Sequence, residues 1–277
     1  MIRRDFLRPN ILLACVILAA VSLAAVLAPV IATHHPTLDA NLLDAERPPD
    51  HVFLLGSDEQ GRDVFSRIVY GGRVSILIGL TVQAMNSVIG ILLGLSSGYF
   101  GGRWDEAVQG LTNLMMALPT VVFALALMVL MGPGVASLLV ALGTTDWAYS
   151  CRISRAMTLS LKTRAYVRAA EAAGHGPLHV MLRELLPNMT GPLVVVATMG
   201  VGSAIMAEAS LSFLGLGVTP DTPSWGSMLA HAREQLSTAP WVAIFPGLAL
   251  FLTVLALNLL GDGLRDLFDP ARRGGRA

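Results

Sequence analysis

Two acidic residues interrupt long apolar stretches of this sequence, where an ionised side chain is costly. Glu208 lies within residues 193–216, and Asp146 directly follows the uncharged residues 107–145. Intramembrane carboxylates either line a polar path or fix neighbouring helices by hydrogen bonds. For Glu208 we favour the packing role. Asp146 lies less deep in its span, and the same two roles, lining the path or fixing the helices, are open to it. An intramembrane enzyme is the third reading, but no base or nucleophile is spaced to support it.

A second acidic group, formed by Asp58, Glu59 and Asp63, has the short spacing that suits a hard cation. The neighbouring Arg62 and Arg67 favour a different interpretation, a solvated loop whose carboxylates pair with its own arginines. We therefore predict no metal site in this chain.

The sequence lacks the short motifs that mark nucleotide-binding proteins, zinc proteases and serine hydrolases. The sequence has no Gly-x-x-x-x-Gly-Lys-Ser/Thr, and its single lysine, Lys162, follows Ser160-Leu161. It has no His-Glu-x-x-His and no Gly-x-Ser-x-Gly. These absences predict that the chain is not an enzyme and holds no cofactor of its own.

Composition places the chain in a membrane. Of its 277 residues 54% are hydrophobic and 14% charged, and the mean hydropathy is +0.64. Such a chain is too apolar for an ordinary soluble domain. Its formal net charge is zero, which gives no basic field for nucleic acid. Cys15 and Cys151 have no partner nearby in sequence and suggest no disulfide framework.

Apolar runs long enough to cross a bilayer predict six spans, and so an all-α polytopic membrane protein. The second uncharged run is about two crossings long, so it predicts a hairpin turning at Gly132-Pro133-Gly134. The runs comprise residues 11–32, 74–102, 107–145 (two spans), 193–216 and 241–260. The resulting divisions are an N-terminal tail and first helix (1–33), an extracytoplasmic segment (34–73) and a permease domain (74–277).

Basic residues orient these spans. Fourteen Arg and Lys fall on the side that carries the N-terminus, and five fall on the other side, which predicts cytoplasmic N- and C-termini. Arg3, Arg4 and Arg8 would hold the start of the first span inside. Arg3-Arg4 also fits a twin-arginine export signal, although a cleaved signal suits a chain with so many later spans poorly.

The longest polar stretch between apolar blocks is residues 162–191. Tyr166, Ala169, Ala170 and Ala173 share one face of a predicted short helix, which Gly174 ends. Pro177 opens a second amphipathic helix, which we expect to stop at Pro187. Two short helices joined by a glycine turn are typical of a docking surface for another subunit.

This stretch resembles the cytoplasmic coupling loop of ABC-importer permeases, with its Glu-Ala-Ala, three residues, Gly, nine residues, an apolar residue and Leu-Pro. The match runs through Arg168-Ala169-Ala170, Gly174 and Leu185-Leu186-Pro187. Arg168 replaces the motif's Glu, Glu184 stands at an apolar position, and Glu171-Ala172-Ala173 is out of register. The resemblance implies that the ATPase docks on a set of loop residues: Tyr166, Arg168, Ala169, Ala170, Glu171, Gly174, Leu186 and Pro187.

Three further stretches are similar to the C-type subunit of the dipeptide, oligopeptide and nickel permeases. They are residues 55–75, residues 210–226, and residues 246–270 with Asn258-Leu259-Leu260-Gly261-Asp262-Gly263. The resemblance implies a type I ABC-importer permease fold in the inner membrane. It also implies three kinds of protein partner: a B-type permease, two ATPase subunits that bind ATP, and an extracytoplasmic solute-binding protein.

Peptides are the predicted cargo, because no histidine lies inside a predicted span to relay nickel. We expect polar side chains to line the path, from a set comprising Asn86, Ser87, Thr198, Ser203 and Ser212. A nickel or metal-chelate importer is the alternative within the family. An ion-driven secondary transporter is the alternative outside it, and such proteins tend to show internal repeats that this sequence lacks.

Overall fold

The structure is a computed structural model that describes residues 9–219 and 221–268. The basic residues predicted to anchor the first span, Arg3, Arg4 and Arg8, lie outside the described residues. So does the end of the C-terminal motif, Asp269-Pro270. Within the described part the chain is almost entirely helical and has no strand, which confirms the predicted all-α class.

Ten helices account for most of the described chain. In order they are α1 Pro9–Val26, α2 Val64–Phe100, α3 Gly102–Ala117, α4 Thr120–Met131, α5 Val135–Gly143, α6 Trp147–Leu161, α7 Ala165–Ala172, α8 Pro177–Phe213, α9 Trp225–Ala232 and α10 Trp241–Phe268. Short helical turns at Ala28–Ile31, Leu42–Asp44 and Arg233–Gln235 lie in the connections.

Four of these helices are long and apolar enough to cross a membrane: α1, α2, α8 and α10. The bent pair α3 and α4 makes a fifth if it is counted as one span. The predicted third and fourth spans therefore differ from simple helices. Helices α3 and α4 meet at 88°, because Pro119 cannot continue the helix and disfavours helical backbone at Leu118. The predicted hairpin turns at Gly132-Pro133-Gly134, but its second arm stops at Gly143 and resumes at Trp147.

Helix α2 lies at the centre of the bundle, where it contacts α1, α5, α6 and α8. The carboxylate of Asp63 accepts the Ser66 N–H at 2.9 Å and caps its start. The helix then runs for 37 residues, which is about 55 Å. It ends at Phe100, and the following Gly101 has a φ of 68°, which glycine adopts without strain. Along its second half it packs against α6.

Three glycines at four-residue spacing explain that close packing. Gly90, Gly94 and Gly98 of α2 face the backbone of α6, and a Cβ at Gly90 would lie 2.5 Å from the Trp147 carbonyl oxygen. Small residues at this spacing let helix backbones approach in a membrane, where van der Waals contact replaces the hydrophobic driving force. Helix α8 packs in turn against α10 and α2, and α1 lies against α10, where Ile11 covers Gly263.

Candidate functional site

The first arm of the coupling loop (residues 162–191) is α7, an eight-residue helix with one buried side chain. Val167 is fully buried, whereas Tyr166, Arg168 and Ala169 are exposed and Ala170 is half-buried. The sequence analysis did not single out Val167, although it is the one branched apolar residue among the alanines of this helix. The helix therefore presents Tyr166, Arg168 and Ala169 outward, and Val167 holds its other side to the bundle.

The glycine turn after α7 has the backbone expected of it. Gly174 has φ of 85°, and its N–H donates to the Glu171 carbonyl at 3.0 Å. The His175 N–H donates to the Ala170 carbonyl at 3.2 Å. These two bonds form a Schellman motif, which satisfies the last carbonyls of the helix and needs a left-handed residue at the glycine position. No described atom lies within 4 Å of a Cβ at Gly174, so only the backbone restricts this residue.

The second arm is not a separate helix, and the prediction that it stops at Pro187 is wrong. Residues from Pro177 continue without interruption into the long span that ends at Phe213. A π-helical turn at Val180–Leu185 directly precedes Pro187. The π-turn widens the hydrogen-bond ladder just before a residue that has no N–H to donate, so the proline is accommodated. Leu186 is half-buried there and Pro187 is exposed.

An apolar cluster ties the coupling loop to three spans. Val167, Val180, Met181 and Leu185 pack with Leu95 of α2, and side chains of α6 complete the cluster. Polar contacts add to it. The Tyr99 hydroxyl donates to the Glu171 carboxylate at 2.9 Å, and Lys162 Nζ donates to the Gly98 carbonyl at 2.8 Å. These contacts join α7 to α2, α6 and α8 together.

Glu208 is fully buried and accepts hydrogen bonds from three serines. Ser212 Oγ donates to its Oε1 at 2.7 Å, Ser224 Oγ to the same oxygen at 2.9 Å, and Ser75 Oγ to Oε2 at 3.2 Å. Ser224 also caps α9. The geometry is that of a helix-packing lock between α2, α8 and α9, and it is shielded from any open path.

Asp146 has the opposite environment. It is exposed at the break between α5 and α6, and its carboxylate makes no hydrogen bond or ion pair with any described residue. Among the expected path-lining residues, Asn86 and Ser212 are instead buried and bonded within the chain. Ser203 is exposed on α8.

The acidic cluster before α2 pairs with Arg62 and Arg67 as predicted, but these residues form a buried ion-pair network, so the prediction that the loop is solvated is wrong. Asp58 accepts Arg62 Nε at 2.7 Å and lies 3.5 Å from Arg67 Nε, and all three residues are buried. Residues 33–63, named here the cap segment, fold back over the start of α2, where the Arg67 guanidinium donates to the Pro36 carbonyl at 3.1 Å. The Trp241 Nε1–H donates to the Ser57 carbonyl at 3.1 Å and joins the cap segment to α10.

The outer part of the cap segment is held by Asp50. The Phe53 and Val52 backbone N–H groups donate to its carboxylate at 2.7 and 2.8 Å and lower its pKa, to which Arg47 also contributes. In residues 9–219 and 221–268 no three His, Cys, Asp or Glu side chains converge on a site for a metal ion.

Comparison with known proteins gives one family for most of the chain. Residues 90–274 match the family described as "Binding-protein-dependent transport system inner membrane component". The matched residues include the coupling loop and all of α8 and α10. In fold, the chain resembles the inward-facing MetNI methionine ABC transporter with a TM-score of 0.61 and 18% identity, over 73% of this chain and 96% of that one.

Three curated relatives are similar over most of their length. The di/tripeptide transport system permease protein DppC of Pseudomonas aeruginosa is 45% identical, over 79% of this chain and 72% of the relative. The dipeptide permease DppC of Haemophilus influenzae is 38% identical, over 89% and 85%. The glutathione transport system permease protein GsiD of Pectobacterium atrosepticum is 42% identical, over 80% and 74%.

Proposed function

Because this chain belongs to the binding-protein-dependent transport system inner membrane component family, we propose that it is a peptide-importer permease. It forms one half of a translocation path for di- or oligopeptides, and ATP hydrolysis on partner subunits drives the transport. The observation that carries this proposal is the 45% identity to a di/tripeptide permease across 79% of the chain.

The choice of peptides over nickel rests on the same relatives and on the chemistry of the spans. The relatives described above transport peptides or glutathione, according to their names. A nickel path would be expected to offer imidazole or thiol ligands. Cys151 is buried between α2, α3 and α6, where it is 3.6 Å from the Thr112 hydroxyl. A permease for metal chelates remains the second candidate, since a chelate needs no protein ligand.

The partners follow from the family and from the coupling loop. A B-type permease completes the path, two ATPase subunits bind ATP, and an extracytoplasmic solute-binding protein delivers the peptide. The exposed small residues around Ala169 would seat α7 in a groove of one ATPase subunit. The buried side of α7 would then pass the movement of that subunit to the spans, which alternate between inward- and outward-facing states.

In this proposal the chain changes no covalent bond. Its sequence has no P-loop to hold phosphates, so ATP is bound and hydrolysed only by the partner subunits. Fourteen of its nineteen basic residues lie on the side assigned to the cytoplasm, which supports cytoplasmic termini and a cytoplasmic coupling loop. The cap segment then lies outside, where the solute-binding protein approaches.

Deletion of the gene tests the substrate. The deletion strain should lose growth on a dipeptide that is the sole source of a required amino acid, and the wild-type gene should restore it. Nickel accumulation serves as the parallel measurement in the same strain. Intact peptide uptake together with a collapse of nickel accumulation would contradict the peptide proposal and support the metal alternative.

A further inference from the structure

The break between α5 and α6 is a polar site built into the middle of a bundle. Trp147, at the start of α6, contacts Gly90 of α2. Gly90 is ten residues from the end of α2 at Phe100, which is about 15 Å along the helix. Gly90 also lies two residues from the centre of the uncharged residues 74–102, so the break lies well inside the apolar part of that span. Non-helical backbone at that depth is tolerated only inside protein or beside a water-filled cavity.

The carbonyl groups at the end of α5 are already satisfied by the chain. The Thr144 hydroxyl donates to the Val140 carbonyl at 2.7 Å, and the Thr145 hydroxyl donates to the Leu142 carbonyl at 3.1 Å. Asn86 Nδ2 of α2 donates to the Leu142 carbonyl as well, at 3.2 Å. The break is thus a fixed feature, and the Thr144 and Thr145 hydroxyls and the Asn86 amide nitrogen are used within the chain.

Two acceptor groups at the break remain unused. The Asp146 carboxylate is exposed and does not cap the first N–H groups of α6, although it occupies the capping position. Asn86 is 2% exposed, and its Oδ1 has no hydrogen-bond partner in the described structure. Buried amide oxygens are normally satisfied, and a carboxylate within a membrane normally has a partner. Both groups can accept a hydrogen bond from a ligand, and the carboxylate also favours a ligand with a positive charge.

We propose that Asp146 receives the α-ammonium group of the peptide during its passage through the bundle. This inference rests on the proposed peptide transport. An ammonium group offers three N–H donors and a positive charge, which match a free carboxylate. It is also the one cationic group that peptides of every side-chain composition share. A single contact to this ammonium group holds the peptide without contacting its side chains.

The other carboxylate in the spans shows what a purely structural acid looks like here. Glu208 is fully buried, and hydroxyls of its own chain occupy both of its oxygens. Asp146 is exposed and has no such donors among the described residues. Its carboxylate is open to a ligand at a helix break, and irregular backbone within a membrane protein is tolerated beside a water-filled path, which favours a transported ligand over a packing contact.

The test uses the complete transporter, reconstituted with its ATPase subunits and solute-binding protein. Asp146→Asn should lower the initial rate of dipeptide uptake about tenfold, the expected effect of losing a charge-assisted hydrogen bond. Asp146→Glu should retain most of the uptake. The amount of assembled complex should be unchanged in both variants, which separates a loss of ligand contact from a loss of folding.

A carbodiimide provides the direct readout, because it activates a carboxylate that then forms an amide, without a spacer, with an amine held beside it. During turnover, a labelled dipeptide should become attached to Asp146, as located by mass spectrometry, and its N-acetylated form should not. Exposed Asp221 serves as the background carboxylate. Normal uptake by Asp146→Asn without attachment at Asp146 would overturn this inference and leave peptide transport standing. Coupling of Asp146 to an amine of the partner permease would overturn it as well. A wild-type transporter that imports no peptide would overturn the proposed function together with this inference.

Discussion

Replacement of Glu208 tests the packing lock in the spans. Glu208→Ala removes the acceptor of three serine hydroxyls, of which Ser75 and Ser224 belong to other elements. Hydrogen bonds between helices in a membrane are worth about 0.6 kcal/mol each, which gives about 2 kcal/mol for three. The cavity left by the side chain adds about 1–2 kcal/mol if the site collapses only in part. We expect a total loss of about 3–4 kcal/mol.

Glu208→Gln keeps the shape of the side chain and one acceptor oxygen. Its amide nitrogen can donate to a serine oxygen in place of the lost acceptor, so about 1 kcal/mol of charge assistance is the expected loss. The change in unfolding free energy is measured by titrating the purified protein in detergent with sodium dodecyl sulfate and following tryptophan fluorescence. Trp225 reports directly, since its backbone N–H donates to Ser75 Oγ at 3.2 Å.

Ser210→Ala is the matched control on the same helix. The Ser210 hydroxyl donates only to the Met206 carbonyl, within α8. This variant should unfold like the wild type, within about 0.5 kcal/mol. Equal destabilisation by Glu208→Gln and Glu208→Ala, or a Glu208→Ala variant as stable as the control, would refute the lock formed by the three serines.

Three further substitutions test the remaining geometry. Gly174→Val should abolish dipeptide uptake in intact cells because φ of 85° strains a β-branched residue, whereas Gly176→Val, in extended backbone, should preserve it. Loss of uptake in both would show that side-chain bulk, and not backbone strain, is the cause. Gly94→Val should push α2 from α6 and lower the melting temperature of the detergent-solubilised protein; Gly110→Val, which meets no described atom within 4 Å, should not. Similar melting temperatures would contradict the close contact. Val167→Ala should loosen α7 by about 2 kcal/mol, seen as faster tryptic cleavage of the coupling loop, and an unchanged rate would contradict its anchoring role.

Much of the fold could be predicted because a bilayer imposes simple rules on sequence. Long uncharged runs have to be helical, so the positions of α1, α2 and α10 followed from length and hydropathy. The Gly174 turn was also predictable, since few residues other than glycine adopt left-handed backbone. The bend at Pro119 also has a local signal in the sequence, since a proline cannot continue the helix before it.

Other features depend on contacts that no local pattern reveals. Pro187 is a helix breaker in isolation, but the π-turn before it lets α8 continue. Two of the three partners of Glu208 come from positions 133 residues before it and 16 residues after it, so most of its environment could not be read from its own helix. Asp58 and Arg67 form a typical loop pair in sequence, and only the fold-back of the cap segment buries them.

The central claim is that the coupling loop docks on the ATPase at the cytoplasmic end of the bundle. Its most direct test is a cross-link in the assembled transporter, with a short bismaleimide and with Cys15 and Cys151 replaced by alanine. Ala169→Cys, exposed on α7, should join to a single cysteine placed in the groove of the ATPase subunit. Leu43→Cys, at a site 93% exposed in the cap segment, should not. Cross-linking of the ATPase through Leu43→Cys and not through Ala169→Cys would contradict both the docking site and the orientation of the chain.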